Sequence, residues 1–176
     1  IDTLDYSGSD LNSGSKVAFT VAGEIRRNLT TEIPTNFRLP NIFKGAKMVL
    51  PGVITIEGNK YESERQASEE IAALNEMLKN ENLESLPLII ICDDVEFTAK
   101  NWQNFVWVTF TRSNPSHDIH GINSFIEHKH WGCKGPLIID ARVKPHHAPP
   151  LIMDSKIEKN IERLWSKGGS LYGIIK

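Results

Sequence analysis

The stretch that decides the fold is LPLIIIC, residues 86–92, which is followed directly by Asp93 and Asp94. An apolar run without alternation is typical of a strand that is buried on both faces of its sheet. Such strands occur mainly in parallel sheets, which helices cover on both sides. Residues 86–92 are therefore predicted to form a central parallel strand, and the two aspartates mark its carboxyl end.

Helix and strand patterns alternate on both sides of this run. Between Tyr61 and Lys79, apolar residues recur at the spacing of one helix face: Ala67, Ile71, Leu74 and Leu78. The glutamates between them, including Glu70, are assigned to positions outside this face. Further along, the stretch LIID forms another apolar strand, which ends in Asp140. The alternation predicts an α/β fold with a mostly parallel sheet that is flanked by helices and preceded by an extended amino-terminal arm.

Several other stretches carry weaker patterns. Met48–Glu57 is predicted to be one edge or bulged strand, because Pro51 lacks an amide hydrogen and Gly52 weakens strand pairing. The prolines that follow Thr31 favour an extended connector. The remaining predictions are a strand at Lys16–Ala22, a short helix at Glu24–Leu29 and a helix or turn at Ile122–His128.

Two more helices are predicted after the central strand. In the first, Thr98 caps the helix and four residues share the face toward the sheet: Trp102, Phe105, Val106 and Phe110. Truncation of Trp102 to alanine is therefore expected to cost about 3–5 kcal/mol. The second helix begins at Asp154 or Ser155 and ends before Gly168. Its apolar face consists of Ile157, Ile161, Leu164 and Trp165.

The composition excludes several classes of protein. The 20 Lys and Arg residues against 22 Asp and Glu give a net charge of −2, which offers no basic excess for binding nucleic acid. No apolar run approaches the roughly 20 residues of a membrane-spanning helix. Two cysteines are too few for a disulfide framework, so a reducing cytoplasm is the expected location. The chain begins with Ile1 rather than Met, which suggests a fragment of a longer protein.

Motifs for nucleotide binding and hydrolysis are missing from the sequence. It contains no GxGxxG motif, no P-loop and no GxSxG elbow of serine hydrolases. His128, His130 and Cys133 form the strongest metal candidate, because alternate strand residues share a face and a turn could bring the thiolate to the same side. This set lacks a fourth ligand at a defined spacing. The pair His117 and His120, with Asp118, is a weaker candidate. A small metal-dependent hydrolase is kept as an alternative function, and His146 and His147 receive no role.

Three aspartates follow predicted strands. Asp93, Asp94 and Asp140 fall at carboxyl ends, where open α/β sheets bind their ligands. One of the first two is expected to cap the next helix, and Asp93 or Asp140 is expected to pair with Arg112. We expect both the cap and the pairing with Arg112 to stabilise the fold rather than to bind a ligand. A self-contained α/β module for ligand binding or regulation, with its ligand at the three aspartates, is the other alternative function.

Four blocks, in this order, resemble the carboxyl-terminal domain of the UbiD-type decarboxylases: LIIICDDVEF, NWQNFVWVTFTRSNPSHDI, GPLIIDARVKP and the terminal IERLW. In that family an apolar strand ends in an acidic cluster, a helix with a central Trp ends in Thr-Arg, and a later strand ends in Asp-Ala. The positions that match the family motif, to which we assign structural roles, are Asp93, Asp94, Trp102, Arg112, Asp140 and Lys144. The loops HKHWGCKG and HHAPP match no motif that we can assign.

The resemblance implies a carboxy-lyase that decarboxylates an aromatic or α,β-unsaturated acid reversibly and without oxidation. A 4-hydroxybenzoate-type acid, related to ubiquinone or menaquinone, is one such substrate. The resemblance also implies prenylated FMN and a divalent metal, Mn or Mg, in the full-length protein. A Glu–Arg–Glu arrangement and the flavin and metal ligands would lie upstream of Ile1. No catalytic, cofactor-binding or metal-binding residue is therefore assigned in this chain.

The resemblance also implies a domain organisation. Residues 1–46 are expected to be a linker or arm from a preceding catalytic domain, and residues 47–176 the α/β carboxyl-terminal domain. The expected partners are its own amino-terminal flavin-binding domain and further copies of the chain, joined through residues 154–176. No nucleic acid partner and no transmembrane segment are expected. The fragment would support assembly and the pocket, while the chemistry belongs to the preceding domain.

Overall fold

The computed structural model describes residues 23–148 and 154–174, so the strand predicted at Lys16–Ala22 lies outside the described residues. In chain order the elements are β1 (Ala46–Leu50), β2 (Val53–Glu57), α1 (Glu64–Leu78), β3 (Leu88–Cys92), α2 (Val95–Ala99), α3 (Trp102–Thr111), β4 (Ile119–Gly121), β5 (Ser124–Glu127), β6 (His130–Cys133), β7 (Leu137–Asp140) and α4 (Ser155–Trp165). Within the described ranges, no helix has both the length and the apolar character needed to cross a membrane.

A five-stranded sheet in the order β1-β2-β3-β7-β4 forms the centre of the fold. The three inner strands β2, β3 and β7 run parallel, with β3 in the middle, while β1 and β4 pair antiparallel at the two edges. The predicted α/β class is confirmed, and so is the predicted central position of the apolar run at residues 86–92. The antiparallel edges make the sheet mixed.

The single strand predicted at Met48–Glu57 is wrong, because a turn divides it into β1 and β2. Pro51 and Gly52 occupy the turn, and the φ of Gly52 is +74°, so the pair has the residue order of a type II turn. Leu50 pairs with Val53 across it, and the register shifts between Met48 and Leu50. The predicted edge position and irregularity therefore belong to β1 alone.

Two apolar clusters pack on opposite faces of the sheet. Successive residues of β3 alternate between the clusters, with Ile89 and Ile91 on the α1 side and Ile90 and Cys92 on the side of α2 and α3. All four side chains are fully buried. The strand is buried on both faces because helices cover both faces, as its unbroken apolar sequence predicts.

Helix α1 forms where it is predicted, with Ser63 as its N-cap residue accepting a hydrogen bond from the Gln66 amide. Its buried face contains the predicted Ala67, Ile71, Leu74 and Leu78. It also contains Glu70, which is only 6% exposed. The assignment of Glu70 to a position outside the apolar face is therefore wrong, and its burial must be compensated by a partner.

The helix predicted after the central strand is in fact two helices. Asp94 caps α2 and Asn101 caps α3, whereas Thr98 lies inside α2 with its hydroxyl donating to the Asp94 carbonyl, so the prediction of Thr98 as a cap is wrong. The break before α3 sets which of its faces meets the sheet. The residues buried in α3 are Phe105, Val108 and Thr109. Trp102 is 55% exposed, which contradicts its predicted place on the buried stripe.

The helix or turn predicted at Ile122–His128 is wrong, because this region forms the hairpin β5–β6. The loop residues His128 and Lys129 have φ values of +48° and +68°, the pattern of a type I′ turn, whose twist suits a two-residue hairpin. Phe125 lies over Gly132 on the paired strand, and a Cβ at Gly132 would come within 2.8 Å of its ring. The sequence lacks the usual Asn-Gly signal for such a turn, which explains why the hairpin escaped prediction.

Residues 23–45 form an extended segment without helix or strand, so the helix predicted at Glu24–Leu29 is wrong. Its backbone forms hydrogen bonds with distant residues instead of within a helix. The Thr30 amide donates to the Ser85 carbonyl at 3.0 Å, and the Gly52 amide donates to the Thr30 carbonyl at 2.7 Å. Further along, Phe37 and Phe43 are buried in the cluster on the α1 side. The second half of the predicted arm is thus part of the core.

Helix α4 begins and ends as predicted. Asp154 is the N-cap residue and accepts a hydrogen bond from the Lys156 amide, and the helix ends at Trp165, before Gly168. None of its residues is buried. The predicted apolar face is therefore present but uncovered within the described part of the chain.

Candidate functional site

An open cavity of about 510 Å³ lies between α1 and β4, at the carboxyl end of β7. Its lining includes Tyr61, Ile71, Asp118, His120, Asp140 and Lys144. The carboxyl ends of parallel strands are where open α/β sheets bind ligands. The cavity is therefore the candidate functional site, and its charged lining determines what it can bind.

Arg142 lies behind the cavity and is fully buried. Its Nε and Nη2 donate to the two carboxylate oxygens of Asp140 at 2.9 and 2.7 Å, and its Nη1 donates to Glu70 Oε2 at 2.6 Å and to the Asn59 carbonyl at 3.0 Å. Burial alone would lower the pKa of Arg142, but the hydrogen bonds and charges of Asp140 and Glu70 raise it above its ordinary value. The guanidinium is thus permanently charged, and each of its three nitrogens donates to an internal acceptor.

Lys144 is the second buried cation of this network. Its Nζ lies 3.2 Å from Asp118 Oδ2 and donates to the carbonyls of Arg112 at 3.0 Å and Asp140 at 2.8 Å. The ring of Tyr61 covers both cations, with its centroid 5.4 Å from Lys144 Nζ and 5.6 Å from the guanidinium carbon of Arg142. Burial and then the charges of Asp118 and Asp140 raise the pKa of Tyr61.

A further ion pair fixes the end of β3. Asp93 Oδ2 accepts hydrogen bonds from Arg112 Nη1 at 3.1 Å and from the Val143 amide at 2.9 Å, and the guanidinium of Arg112 packs over the ring of Trp107 at 4.9 Å. Because Arg112 ends α3 and Val143 follows β7, the contact ties three elements together. Asp94 instead caps α2 by accepting from the Phe97 amide.

Comparison with known proteins shows what the chain is similar to. No protein-family model matches it. It is 29% identical over 172 residues to a 4-hydroxybenzoate decarboxylase subunit of Chlamydia pneumoniae, covering 93% of this chain and 26% of that protein. It is 32% identical over 168 residues to an uncharacterized protein of Chlamydia muridarum, covering 94% of this chain and 27% of that protein. Over this region the chain is similar to a protein that is named as a decarboxylase subunit. The resemblance predicted from the four blocks is confirmed.

The matched region is only part of each relative, since the chain spans about a quarter of the length of the curated relatives it matches. Two solved structures are also similar. The UbiD-class enzyme HmfF of Pelotomaculum thermopropionicum, solved as an evolved dimeric form with prFMN, gives a TM-score of 0.42 at 17% identity over 67% of this chain and 24% of that one. The vanillic acid decarboxylase of Sedimentibacter hydroxybenzoicus gives 0.39 at 18% identity over 64% of this chain and 26% of that one.

The structure brings together four of the six positions at which the sequence resembles the family motif. Asp93, Arg112, Asp140 and Lys144 are linked through direct contacts at the carboxyl edge of the sheet. The sequence predicted that Asp93 or Asp140 would pair with Arg112, and Asp93 does, whereas Asp140 pairs with Arg142. The other two positions lie apart from this network, with Asp94 capping a helix and Trp102 at the surface.

Sequence reasoning missed three members of the buried network, namely Glu70, Asp118 and Arg142. A signal for Glu70 was present, because it lies three residues after Ala67 and so falls on the buried face of α1. A signal for Arg142 was also present, because it lies two residues after Asp140 and can share its side of an extended backbone. No spacing in the sequence indicated that Asp118 would belong to the buried network.

The proposed metal set of His128, His130 and Cys133 is not brought together. His128 is in the hairpin turn, and His130 and Cys133 are at opposite ends of β6, about 10 Å apart along a strand and pointing to opposite faces. Within residues 23–148 and 154–174, no group of three or more His, Cys, Asp or Glu is arranged to hold a metal ion. The structure therefore gives no support to the small metal-dependent hydrolase.

Two histidines near the network have depressed pKa values. Burial lowers the pKa of His120, although Asp140 and Asp118 act in the opposite direction. Burial, followed by the neighbouring His146, Lys144 and Arg112, lowers the pKa of His147 to about 4. His147 Nδ1 also accepts a hydrogen bond from the Lys144 amide at 3.1 Å, which requires an unprotonated nitrogen. Both rings are neutral at pH 7.

Proposed function

We propose that the chain is the carboxyl-terminal domain of a UbiD-like carboxy-lyase. The reaction proposed for the whole protein is reversible, non-oxidative decarboxylation of an aromatic or α,β-unsaturated acid, with a 4-hydroxybenzoate-type acid as the first candidate. The observation that carries the proposal is the match of 93% of this chain to a relative named as a 4-hydroxybenzoate decarboxylase subunit. The cytoplasm is the proposed location, where the free thiols Cys92 and Cys133 stay reduced.

The residues of the cavity do not fit prenylated FMN or a divalent metal. A flavin phosphate needs cationic or amide donors, but the heads of Arg142 and Lys144 are already coordinated by carboxylates and carbonyl oxygens. Three metal ligands do not converge anywhere in the described part of the chain. We therefore propose that the flavin and a Mn or Mg ion belong to the part of the relatives that this chain does not span, so that no catalytic step is assigned here.

The proposed role of the chain is to support that preceding flavin-binding domain and its pocket. The linked ion pairs at the carboxyl edge fix β3, β7 and the end of α3 relative to one another. A surface held in this way loses little conformational entropy when another domain docks on it. The proposed division is a linker or arm over residues 1–46, whose second half packs into the core, and the carboxyl-terminal domain over residues 47–176.

We also propose that the chain assembles with further copies of itself through α4 and the tail. Ile157, Ile161, Leu164 and Trp165 are between 38% and 54% exposed, and Tyr172 and Ile174 add apolar surface beyond the helix. Soluble monomers rarely leave a large apolar patch uncovered. Light scattering over a dilution series, on the intact chain and on one ending at Lys167, tests the proposal. A monomer mass for the intact chain at every concentration would contradict it.

The proposed activity is tested by comparing this chain with the longer protein that contains it. The longer protein, reconstituted with prenylated FMN and Mn, should release carbon dioxide from an aromatic or α,β-unsaturated acid and should exchange labelled bicarbonate into the carboxylate of that acid. The isolated chain should retain no flavin absorbance after gel filtration and should release no carbon dioxide. Tight retention of the flavin by the isolated chain, or an inactive reconstituted protein across a panel of such acids, would overturn the proposal.

A further inference from the structure

We propose that the cavity between α1 and β4 binds a small organic cation, an amine or amidine carried on a flat apolar body. The cavity volume of about 510 Å³ falls within the range of about 300–1,000 Å³ typical of small-molecule sites. No assignment of a cation site follows from the relatives, and the proposal needs no flavin, so it stands or falls separately from the proposed decarboxylase activity.

The charge of the lining favours a cation. The buried network contains two cations, Arg142 and Lys144, and three carboxylates, Glu70, Asp118 and Asp140, which leaves one formal negative charge in excess. A low-dielectric wall strengthens the field of that excess charge inside the cavity. The network thus attracts a cation that enters the space beside it.

The rim adds to this field. Glu64, in the first turn of α1, lines the cavity and is exposed, so it contributes a second negative charge near the entrance. An acidic ligand would meet no free counter-charge there, because Arg142 and Lys144 donate to internal acceptors. The cavity therefore discriminates against carboxylates, which form the substrate class of the proposed reaction.

The uncharged lining suits a flat body. Ala67 and Ile71 of α1 form apolar surface, and Tyr61 and His120 add two rings. The depressed pKa of His120 leaves its imidazole neutral at pH 7, so it adds no repelling charge and presents a nitrogen that can accept a hydrogen bond from an ammonium or amidinium group. Apolar surface and a few convergent polar groups are the usual composition of a small-molecule site.

Three probes of the same shape test the charge requirement: benzamidinium as the cation, benzamide as the neutral compound and benzoate as the anion. Calorimetric titration of the full chain at pH 7.5 and low salt should show benzamidinium binding at least about tenfold more tightly than benzamide. Benzoate should give no binding heat. Equal affinity for all three probes, or tighter binding of benzoate, would overturn the proposal.

A matched pair of variants tests the location. Glu64→Gln should weaken benzamidinium binding by about two- to fivefold, as expected for one charge at an exposed rim. Glu69→Gln, on the same helix but outside the lining, should leave the affinity unchanged. Equal weakening by both variants would mean attraction to the overall charge and would contradict the site.

A spectroscopic measurement keeps the proposal falsifiable if the binding heats are small. The imidazole resonances of His120, assigned through His120→Gln, should shift on addition of benzamidinium and not on addition of benzoate. The exposed His130 on the hairpin serves as the internal reference. Unchanged His120 resonances at tens of millimolar benzamidinium would contradict the proposal.

Discussion

Helices α1 and α4 are both amphipathic and capped, yet they end up in opposite environments. Helix α1 buries Ala67, Ile71, Leu74 and Leu78 against the sheet, whereas α4 buries none of its residues. The difference teaches that an apolar stripe predicts a covered face without saying what covers it. For α1 the cover is the chain itself, and for α4 we propose that it is another copy.

The largest expected effect tests the ion network that α1 closes. Replacing Arg142 by leucine leaves Asp140 and Glu70 buried without their cation, which should cost about 3–5 kcal/mol of unfolding free energy. Urea denaturation measures the change. The control is Arg65→Leu on α1, whose ion pair with Glu69 is exposed and whose loss should stay within about 0.5 kcal/mol. A cost below about 1 kcal/mol for Arg142→Leu would show that the network is not desolvated.

The next prediction extends the comparison to two faces of a single helix, α3. Phe105 is 4% exposed, so Phe105→Ala should cost about 3–5 kcal/mol. Trp102→Ala, for which the sequence alone predicted that same cost, should lose about 1 kcal/mol or less, because its ring is 55% exposed. Thermal or urea unfolding of the two variants gives the ranking. The reverse ranking would mean that the exposed face of α3 is covered in solution.

A matched pair of aliphatic truncations compares α1 and α4 directly. Leu74→Ala should cost about 2–5 kcal/mol at every protein concentration, because Leu74 is fully buried within one chain. Ile161→Ala should instead weaken assembly, so its effect on the melting temperature should disappear on dilution. The measurement is thermal unfolding across a hundredfold range of concentration. An Ile161→Ala effect that is independent of concentration would place its cover within the chain.

The smallest expected effect concerns His147, which lies in the segment between β7 and α4. Its pKa is about 4 in the folded chain against about 6.5 when unfolded, so the unfolded state binds more protons between these values. Stability from this group is fully present above pH 6.5 and is lost as the pH falls from 6.5 through 4. The depressed pKa of His120 acts in the same direction.

His147→Gln should therefore flatten part of the loss of urea stability between pH 6.5 and 5. The ring titration followed by NMR should have its midpoint near pH 4 in the parent chain. A midpoint at the ordinary value of about 6.5 would contradict the burial of this imidazole.

The sequence predicted the central strand, α1 and the α/β class, because each rests on a long local pattern of burial. It did not predict the division of residues 48–57 into two strands, since a Pro-Gly pair is compatible with either a weak strand or a tight turn. The hairpin was missed because His128 and Lys129 adopt positive φ without the usual glycine or asparagine. In these cases tertiary packing decided between local alternatives.

The candidate site was predicted only in part for a similar reason. Asp93 and Asp140 were predicted because the sequence pattern alone shows where each strand ends. The pairing of Arg142 with Glu70 joins residues 72 positions apart, and nothing in either local sequence specifies the other. Within the buried face of α1, a charged residue interrupts an apolar stripe, and such an interruption is the observable sign of a distant partner.

The two backbone hydrogen bonds at Thr30 determine where the chain can pivot. Thr30 is fastened both to the turn at Gly52 and to Ser85, just before the central strand. A Cβ at Gly52 would come within 2.8 Å of Leu29, so the crossing is also sterically tight. Any restraint that this domain places on a preceding polypeptide therefore acts at residue 30 rather than at residue 46. The effective tether is thereby shortened by about 16 residues, which reduces the volume that a preceding domain could explore and raises its local concentration at the sheet.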